Sequence, residues 1–182
     1  MGNINVYTGP MKSGKSQKIF DELKRQLIAG RDLKVFKPTL DDRSGTDVIS
    51  TRSGNSIQAI CIDNIEELNN YDTEVYFIDE FQFLKGNVDT IEKLASKGKK
   101  FYIAGLNLTA EKKPFGKMGD LLCIADNINI MTSICEVCKC DDAIYTFHKG
   151  KKDGDILVGD ENYIPVCRNC YTNLMNSNNK KK

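Results

Sequence analysis

Apolar positions recur along this chain with two periods, and residues 1–130 divide between them. Ile4 to Thr8 reads as a short strand, and Ser16 to Ala29 as a helix that sets Ile19, Phe20, Leu23 and Leu27 on one face and stops at Gly30. Leu33 to Phe36 follows as a second strand ended by Pro38, and the polar stretch Asp41 to Asp47 reads as a loop. Val48 to Thr51 and Ser56 to Ile62 flank the turn signal Ser53-Gly54-Asn55 and read as a β-hairpin or strand pair of open register. Val75 to Ile78 is an apolar run of the kind found in strands buried on both faces, and it leads straight into Asp79-Glu80. Val88 to Lys97 carries Val88, Ile91, Leu94 and Ala95 at helical spacing with Gly98 behind it, and Phe101 to Ala104 is another buried strand. Strands and helices alternating at these lengths predict an α/β fold, a mainly parallel sheet with helices on both faces.

Beyond Ile134 the texture changes to cysteines, glycines and lysines with short strand-like pieces, Ala143 to Phe147 and Asp155 to Val158. Such a segment buries little core alone, so a second, metal-stapled module is expected over residues 131–175. Residues 176–182, all polar or charged, are expected to fray.

Composition narrows the function classes. With Lys+Arg 26 against Asp+Glu 25, the net charge is +1, so no global field steers the chain to nucleic acid or an anionic membrane, and a polyanion must be held locally. No apolar run approaches the roughly 18 residues of a membrane span, and Met1 to Thr8 lacks the layout of a signal peptide. A soluble, cytoplasmic protein is expected. Seven cysteines are an odd number for a disulfide framework, and five crowd into residues 135–170. Metal ligation is the more natural reading in a reducing compartment, with Cys61 and Cys123 as buried small hydrophobes.

Gly9-Pro10-Met11-Lys12-Ser13-Gly14-Lys15-Ser16 fits G-x-x-x-x-G-K-[ST] between a strand and a helix, where a P-loop belongs. Gly9 and Gly14 let backbone N–H groups turn toward phosphate oxygens, and the helix adds the positive end of its dipole. Lys15 is placed to reach the β- and γ-phosphates of ATP, and the Ser16 hydroxyl to ligate Mg²⁺. At the end of the Val75 strand, expected alongside the P-loop strand, Asp79 fits a magnesium-orienting carboxylate. Glu80 fits a base taking a proton from a nucleophile that faces the γ-phosphate; two acids marking a polar strand end are the plainer reading. Arg43 is either a loop arginine that swings in on the transferring phosphoryl group or a solvated one.

Cys135-x2-Cys138 and Cys167-x2-Cys170, separated by residues 139–166, can each form a knuckle and together a closed four-cysteine zinc site, structural because no coordination position stays open. Cys140 rivals Cys138, but only Cys138 gives the two-residue spacing. His148, the sole histidine, reads as a surface or packing residue.

In order along the chain, the P-loop, Asp41-x-Arg43, Ile78-Asp79-Glu80-x-Gln82-Phe83, Lys113-Pro114-Phe115-Gly116 and both cysteine knuckles resemble the type II thymidine kinases, as does Tyr163-x-x-Val166-Cys167-Arg168-x-Cys170-Tyr171. The resemblance implies a P-loop NTPase-like core with a small C-terminal zinc-ribbon or lasso domain. It implies transfer of the ATP γ-phosphate to the 5′-hydroxyl of thymidine, a step of nucleoside salvage for DNA synthesis, with Glu80, Arg43 and Lys15 catalytic. Asp79 and Gln82 join the P-loop in holding ATP and Mg²⁺, and residues 150–165 fold over the nucleoside. Met11, Phe83, Leu106, Phe115 and Tyr163 would line its pocket, although any of these apolar residues, Leu106 above all, can equally be core. A homotetramer and feedback inhibition by thymidine triphosphate are implied as well. This chain departs from the family pattern at Gly159, where a double glycine is usual, and at Asn107-Leu108, Ala110, Ser44 and Phe81. The competing reading is a zinc-ribbon ATPase that binds nucleic acid, supported by Lys149, Lys151, Lys152 and Arg168 and opposed by the near-zero net charge. A GTPase lacks its Asn-Lys-x-Asp motif here.

Overall fold

The computed structural model describes residues 1–41, 48–50, 54, 56–150 and 162–179. Strand β1 (Asn3–Thr8) feeds helix α1 (Lys15–Ile28), and β2 (Leu33–Pro38), β3 (Val48–Ser50), β4 (Ser56–Gln58) and β5 (Ile60–Ile62) follow. After a 3-10 turn at Ile65–Asn70 come β6 (Val75–Ile78), a second 3-10 turn at Phe81–Phe83, α2 (Asp89–Ser96), β7 (Lys100–Gly105), α3 (Met118–Ile124) and β8 (Asn127–Ile130). The chain closes with β9 (Tyr145–His148), β10 (Tyr163–Val166) and α4 (Arg168–Asn179).

Six strands form one sheet in the order β5-β2-β6-β7-β1-β8, and every pairing in it is parallel. Strand side chains alternate between two cores. Ile4, Val6, Tyr76, Ile78, Phe101 and Ile103 face the layer that holds α2, α3 and the 3-10 turns, while Tyr7, Val75, Phe77, Tyr102 and Ala104 face α1. The helices therefore cover both faces, and the apolar run Val75 to Ile78 is buried on both sides as its composition required. Stacked rings at Tyr76–Phe101 (4.8 Å) and Phe77–Tyr102 (5.0 Å) tie β6 to β7 on each face in turn.

Several expectations are corrected. The stretch Ser56 to Ile62 is two strands: β4 pairs antiparallel with β3, and after Ala59 the chain switches sheets so that β5 runs parallel to β2. Leu27 is 52% exposed because Gln26 turns toward the sheet at the last turn of α1, its amide donating to Tyr102 Oη at 3.1 Å. Cys123 is exposed and Cys61 only half-buried: α3 buries Met118 and Leu121 instead, and β5 points Ile62 inward. Helix α4 continues to Asn179, past the point where fraying was expected to begin. The expected strand Asp155 to Val158 lies outside the described residues.

A separate, smaller core joins Ala143, Tyr145, Phe147, Ile164, Val166 and Tyr171 with Cys135, Cys167 and Cys170. Its scaffold is the antiparallel β9–β10 hairpin, extended outward by the Lys149 N–H, which donates to the Asn162 carbonyl at 2.8 Å. The segment that would form the lasso thus leaves from, and returns to, paired strand ends. No helix among the described residues is long and apolar enough to cross a membrane.

Candidate active site and cysteine cluster

The loop from Gly9 to Gly14 joins β1 to α1 at the C-terminal edge of the sheet, where ligands of open α/β sheets bind. Gly14 holds the left-handed conformation (φ 83°) as the N-cap of α1 and contributes no side-chain cap, so the first-turn N–H groups are left for an anion. A Cβ on Gly9 would lie 2.2 Å from the Met131 carbonyl oxygen, which is why the loop closes tightly only with glycine there. Lys15 is nearly buried, its ammonium donating to the Pro10 carbonyl at 2.7 Å and to Ser13 Oγ at 3.3 Å. The loop is also gripped from the C-terminal module: Met11 N–H donates to Thr146 Oγ1 (3.0 Å), Ser133 Oγ to the Lys12 carbonyl (3.0 Å), and Lys12 Nζ to Glu136 Oε1 (2.6 Å). Thr146, Ser133 and Glu136 carry no local sequence signal for this role, because it arises from docking of one module on another.

The carboxylate strand stands differently from expectation. β7 lies between β1 and β6, so Asp79 is two strands from the P-loop strand and not alongside it. The gap is bridged by side chains at the sheet edge, where the Ser16 hydroxyl donates to the Asp79 carboxylate. Burial pushes Asp79 up to about 7, and the neighbouring Glu80 charge adds to this; hydrogen bonds from the Ser16 hydroxyl and the Glu80 N–H and the Lys15 charge oppose it only in part. Its folded value lies above the unfolded one, so ionising Asp79 destabilises the native state. This contribution is harmless at acid pH and grows as pH rises between about 4 and about 7. Asp79→Asn is therefore expected to raise the Tm of the nucleotide-free protein at pH 8, by about 2–4 °C per kcal/mol recovered, and to flatten its Tm against pH. Differential scanning calorimetry at pH 5 and pH 8 checks this; an equal Tm change at both would count against it.

Glu80 sits in the left-handed region (φ 51°, ψ 39°), a conformation that non-glycine residues hold only when their surroundings enforce it. Its N–H donates to Asp79 Oδ1 at 3.0 Å, and its Oε2 accepts from Gln82 Nε2 at 2.5 Å. Gln82 in turn accepts the Leu106 N–H at 2.9 Å. Beside this chain Phe83 and Phe115 meet edge to face at 5.4 Å. Glu80, Gln82, Phe83, Leu106 and Phe115 are thus gathered at the ends of β6 and β7. Tyr163 begins β10, and its ring packs on His148 at 4.8 Å. A cleft of about 230 Å³ opens beside the P-loop, walled by Gly9, Pro10, Asn107, Leu108, Tyr145 and Arg168. None of the five residues expected against the nucleoside lines it.

Arg43 lies outside the described residues. The chain on both sides of it is anchored by one fully buried ammonium: Lys37 Nζ donates to the Val48 carbonyl at 3.2 Å and stands 3.9 Å from Asp41 Oδ2.

Five cysteines converge. The sulfurs of Cys135, Cys138, Cys140 and Cys167 lie within 4.8 Å of one another, and Cys170, buried in the first turn of α4, hydrogen-bonds through its side chain to Cys138, Cys167 and Cys135. The tightest set of four thus includes Cys140 where the spacing named Cys170. One observation makes the cluster fit zinc. Burial raises the Cys135 thiol, yet N–H donation from Cys138, Cys167 and Val137 outweighs it and brings the thiol down to about 6, which favours the thiolate that zinc needs. Cys140 donates to Asp142 Oδ1 at 2.7 Å, and that carboxylate holds its thiol well above the usual range, while burial and the neighbouring sulfurs push Cys170 up to about 12.

Comparison with known proteins accounts for nearly the whole chain. The family model described as "Thymidine kinase" matches residues 2–171. A protein of Porphyromonas gingivalis named thymidine kinase is 37% identical over 175 residues, 93% of this chain and 85% of the relative. One of Mycoplasma mobile with the same name is 36% identical, over 93% of this chain and 87% of the relative. These matches do not favour a nucleic-acid-binding ATPase. A P-loop whose Ser16 meets the buried Asp79, a cysteine cluster on its own small core and a family match over residues 2–171 agree: the chain belongs to the thymidine kinase family.

Proposed function

We propose that this protein transfers the γ-phosphoryl group of ATP to the 5′-hydroxyl of thymidine. The observation that carries this reading is the meeting of Ser16 and Asp79 at the sheet edge with Glu80 held beside them. Residues Gly9 to Ser16 take the phosphates, with Lys15 on the β- and γ-oxygens. Ser16 and Asp79 would hold Mg²⁺, which supplies charge neutralisation on the phosphate oxygens. Glu80 receives the proton of the attacking hydroxyl, and Arg43 stabilises charge on the group in transfer. Met11, Phe83, Leu106, Phe115 and Tyr163 form the apolar walls around the nucleoside, under a lasso springing from the β9–β10 hairpin. Excluding water there protects the γ-phosphate from hydrolysis.

Cys135, Cys138, Cys167 and Cys170 hold a structural zinc. Cys140 stays outside the set because its sulfur is committed to Asp142. Residues 1–130 act as the nucleotide core and 131–175 as the zinc module. A homotetramer, feedback inhibition by thymidine triphosphate and a cytoplasmic location, with no nucleic-acid or membrane partner, belong to the same reading and are supported by family membership. A coupled assay of ADP release with thymidine, deoxyuridine, deoxycytidine or no nucleoside tests it. Release with thymidine well above the no-nucleoside rate is expected, and equal rates in all four would refute it.

A further inference from the structure

Gln82 is one of the least exposed polar residues of the described chain, at 2%, although it lies at the edge of the candidate active site. The side-chain amide is engaged at both ends. Its Oε1 accepts the Leu106 N–H at 2.9 Å, and its Nε2 donates to Glu80 Oε2 at 2.5 Å. The orientation is forced chemically, since an N–H must face the oxygen and a carboxylate must face the NH2 group. Two glycines lie close against Gln82. A Cβ on Gly105 would lie 2.9 Å from Gln82 Oε1 and 2.7 Å from Met118 Sδ, and one on Gly116 would lie 2.1 Å from the Gln82 carbonyl oxygen. Both glycines are therefore the space into which Gln82 is fitted.

We propose that Gln82 is a positioning residue for Glu80, and not a ligand of the nucleotide or its metal as the resemblance implies. Accepting Glu80 as the base, the inference rests on the function proposed above and deepens it. Glu80 occupies a left-handed backbone conformation that a non-glycine residue holds only when its surroundings support it. The Gln82 amide pins one carboxylate oxygen and so fixes the plane of the carboxyl group, without adding a charge that would compete with the proton Glu80 has to accept. The other end of the same amide is tied to Leu106, the first residue after β7. From there the chain leads to Asn107, whose carbonyl accepts the Phe115 N–H at 3.1 Å, and Phe115 meets Phe83. One buried amide thereby sets the base and the apolar wall expected to face the sugar and base of the nucleoside.

A double-mutant cycle between Gln82 and Glu80 tests this on the full chain, with kcat read in the thymidine assay and the Kd of ADP by calorimetry. Gln82→Glu keeps an acceptor for Leu106 but removes the donor to Glu80; Gln82→Met removes both and serves if the first variant misfolds. Each is expected to lower kcat about 10- to 100-fold with the Kd of ADP unchanged within about twofold, and to cost less than about twofold once Glu80→Gln is present. A rise in the Kd of ADP with kcat retained would make Gln82 a nucleotide ligand and overturn the proposal. So would an equal loss with and without Glu80. Full turnover in the single variant Glu80→Gln would instead remove the base assignment itself, and this proposal with it.

Discussion

Glu80→Gln is expected to lower kcat for thymidine-dependent ADP release by about two to four powers of ten, the usual contribution of a general base, while ATP binding survives. The substitution is close to isosteric and exchanges one carboxylate oxygen for an amide nitrogen, so packing against Gln82 is retained in outline. What is lost is a group able to accept a proton. The P-loop contacts of Lys15 with Pro10 and Ser13 do not pass through Glu80, so nucleotide affinity is expected to stay within a few-fold. The left-handed backbone at residue 80 is kept as well. Turnover and calorimetric ATP affinity on the same preparation separate the two effects; a variant that loses both together would place Glu80 in nucleotide binding.

Removal of zinc is expected to unfold the C-terminal module while the six-stranded sheet stays folded. Among the described residues, the small core buries Ala143, Tyr145, Phe147, Ile164, Val166 and Tyr171 beside three of the cysteines, too little apolar surface to order the segment unaided. A structural zinc site contributes on the order of 10 kcal/mol of folding free energy in small domains, most of which chelation forfeits here. The main sheet has its own buried cores on both faces, and the buried residues of the small core all fall between Cys135 and Tyr171. Limited proteolysis after chelation is expected to cut between residues 131 and 179 and to spare residues 1–130. Thymidine turnover should vanish with the module, since Tyr163 and the P-loop clasp from Thr146 both go with it. Zinc content of point variants decides the fourth ligand: Cys170→Ser is expected to lose the metal and Cys140→Ser to keep it. The reverse pattern would transfer the site to the set in which the sulfurs now lie closest.

The parts legible in the sequence are those whose signal is local. The P-loop is a fixed spacing of glycines, lysine and serine, and β1 and α1 on either side of it are periodic enough to identify. β6 is an unbroken apolar run because both faces are covered, and α2 is marked by Val88, Ile91 and Leu94. Elements without a core-facing stripe escape such a reading. β8 is an edge strand with every residue exposed, and its Asn-Ile-Asn-Ile pattern shows no buried run. α4 is polar through most of its length, apart from Cys170, Tyr171 and Leu174, which pack on the small core, and the exposed Met175.

Composition and spacing determined by themselves that this chain folds as an α/β phosphate-binding core, carries two acids at the end of a buried strand and gathers cysteines for a metal, because each rests on neighbours along the chain. Only the tertiary structure decided that β7 separates the P-loop strand from β6, so that Asp79 meets Ser16 through side chains across a strand end. It also decided that Cys140 enters the sulfur cluster, that Thr146 and Glu136 clasp the P-loop, and that Gln82 faces Glu80 and not solvent. Each of these joins residues whose meeting depends on strand order, module docking or the direction of a side chain, and such contacts are set by the free energy of the whole packed chain, not by any window of it.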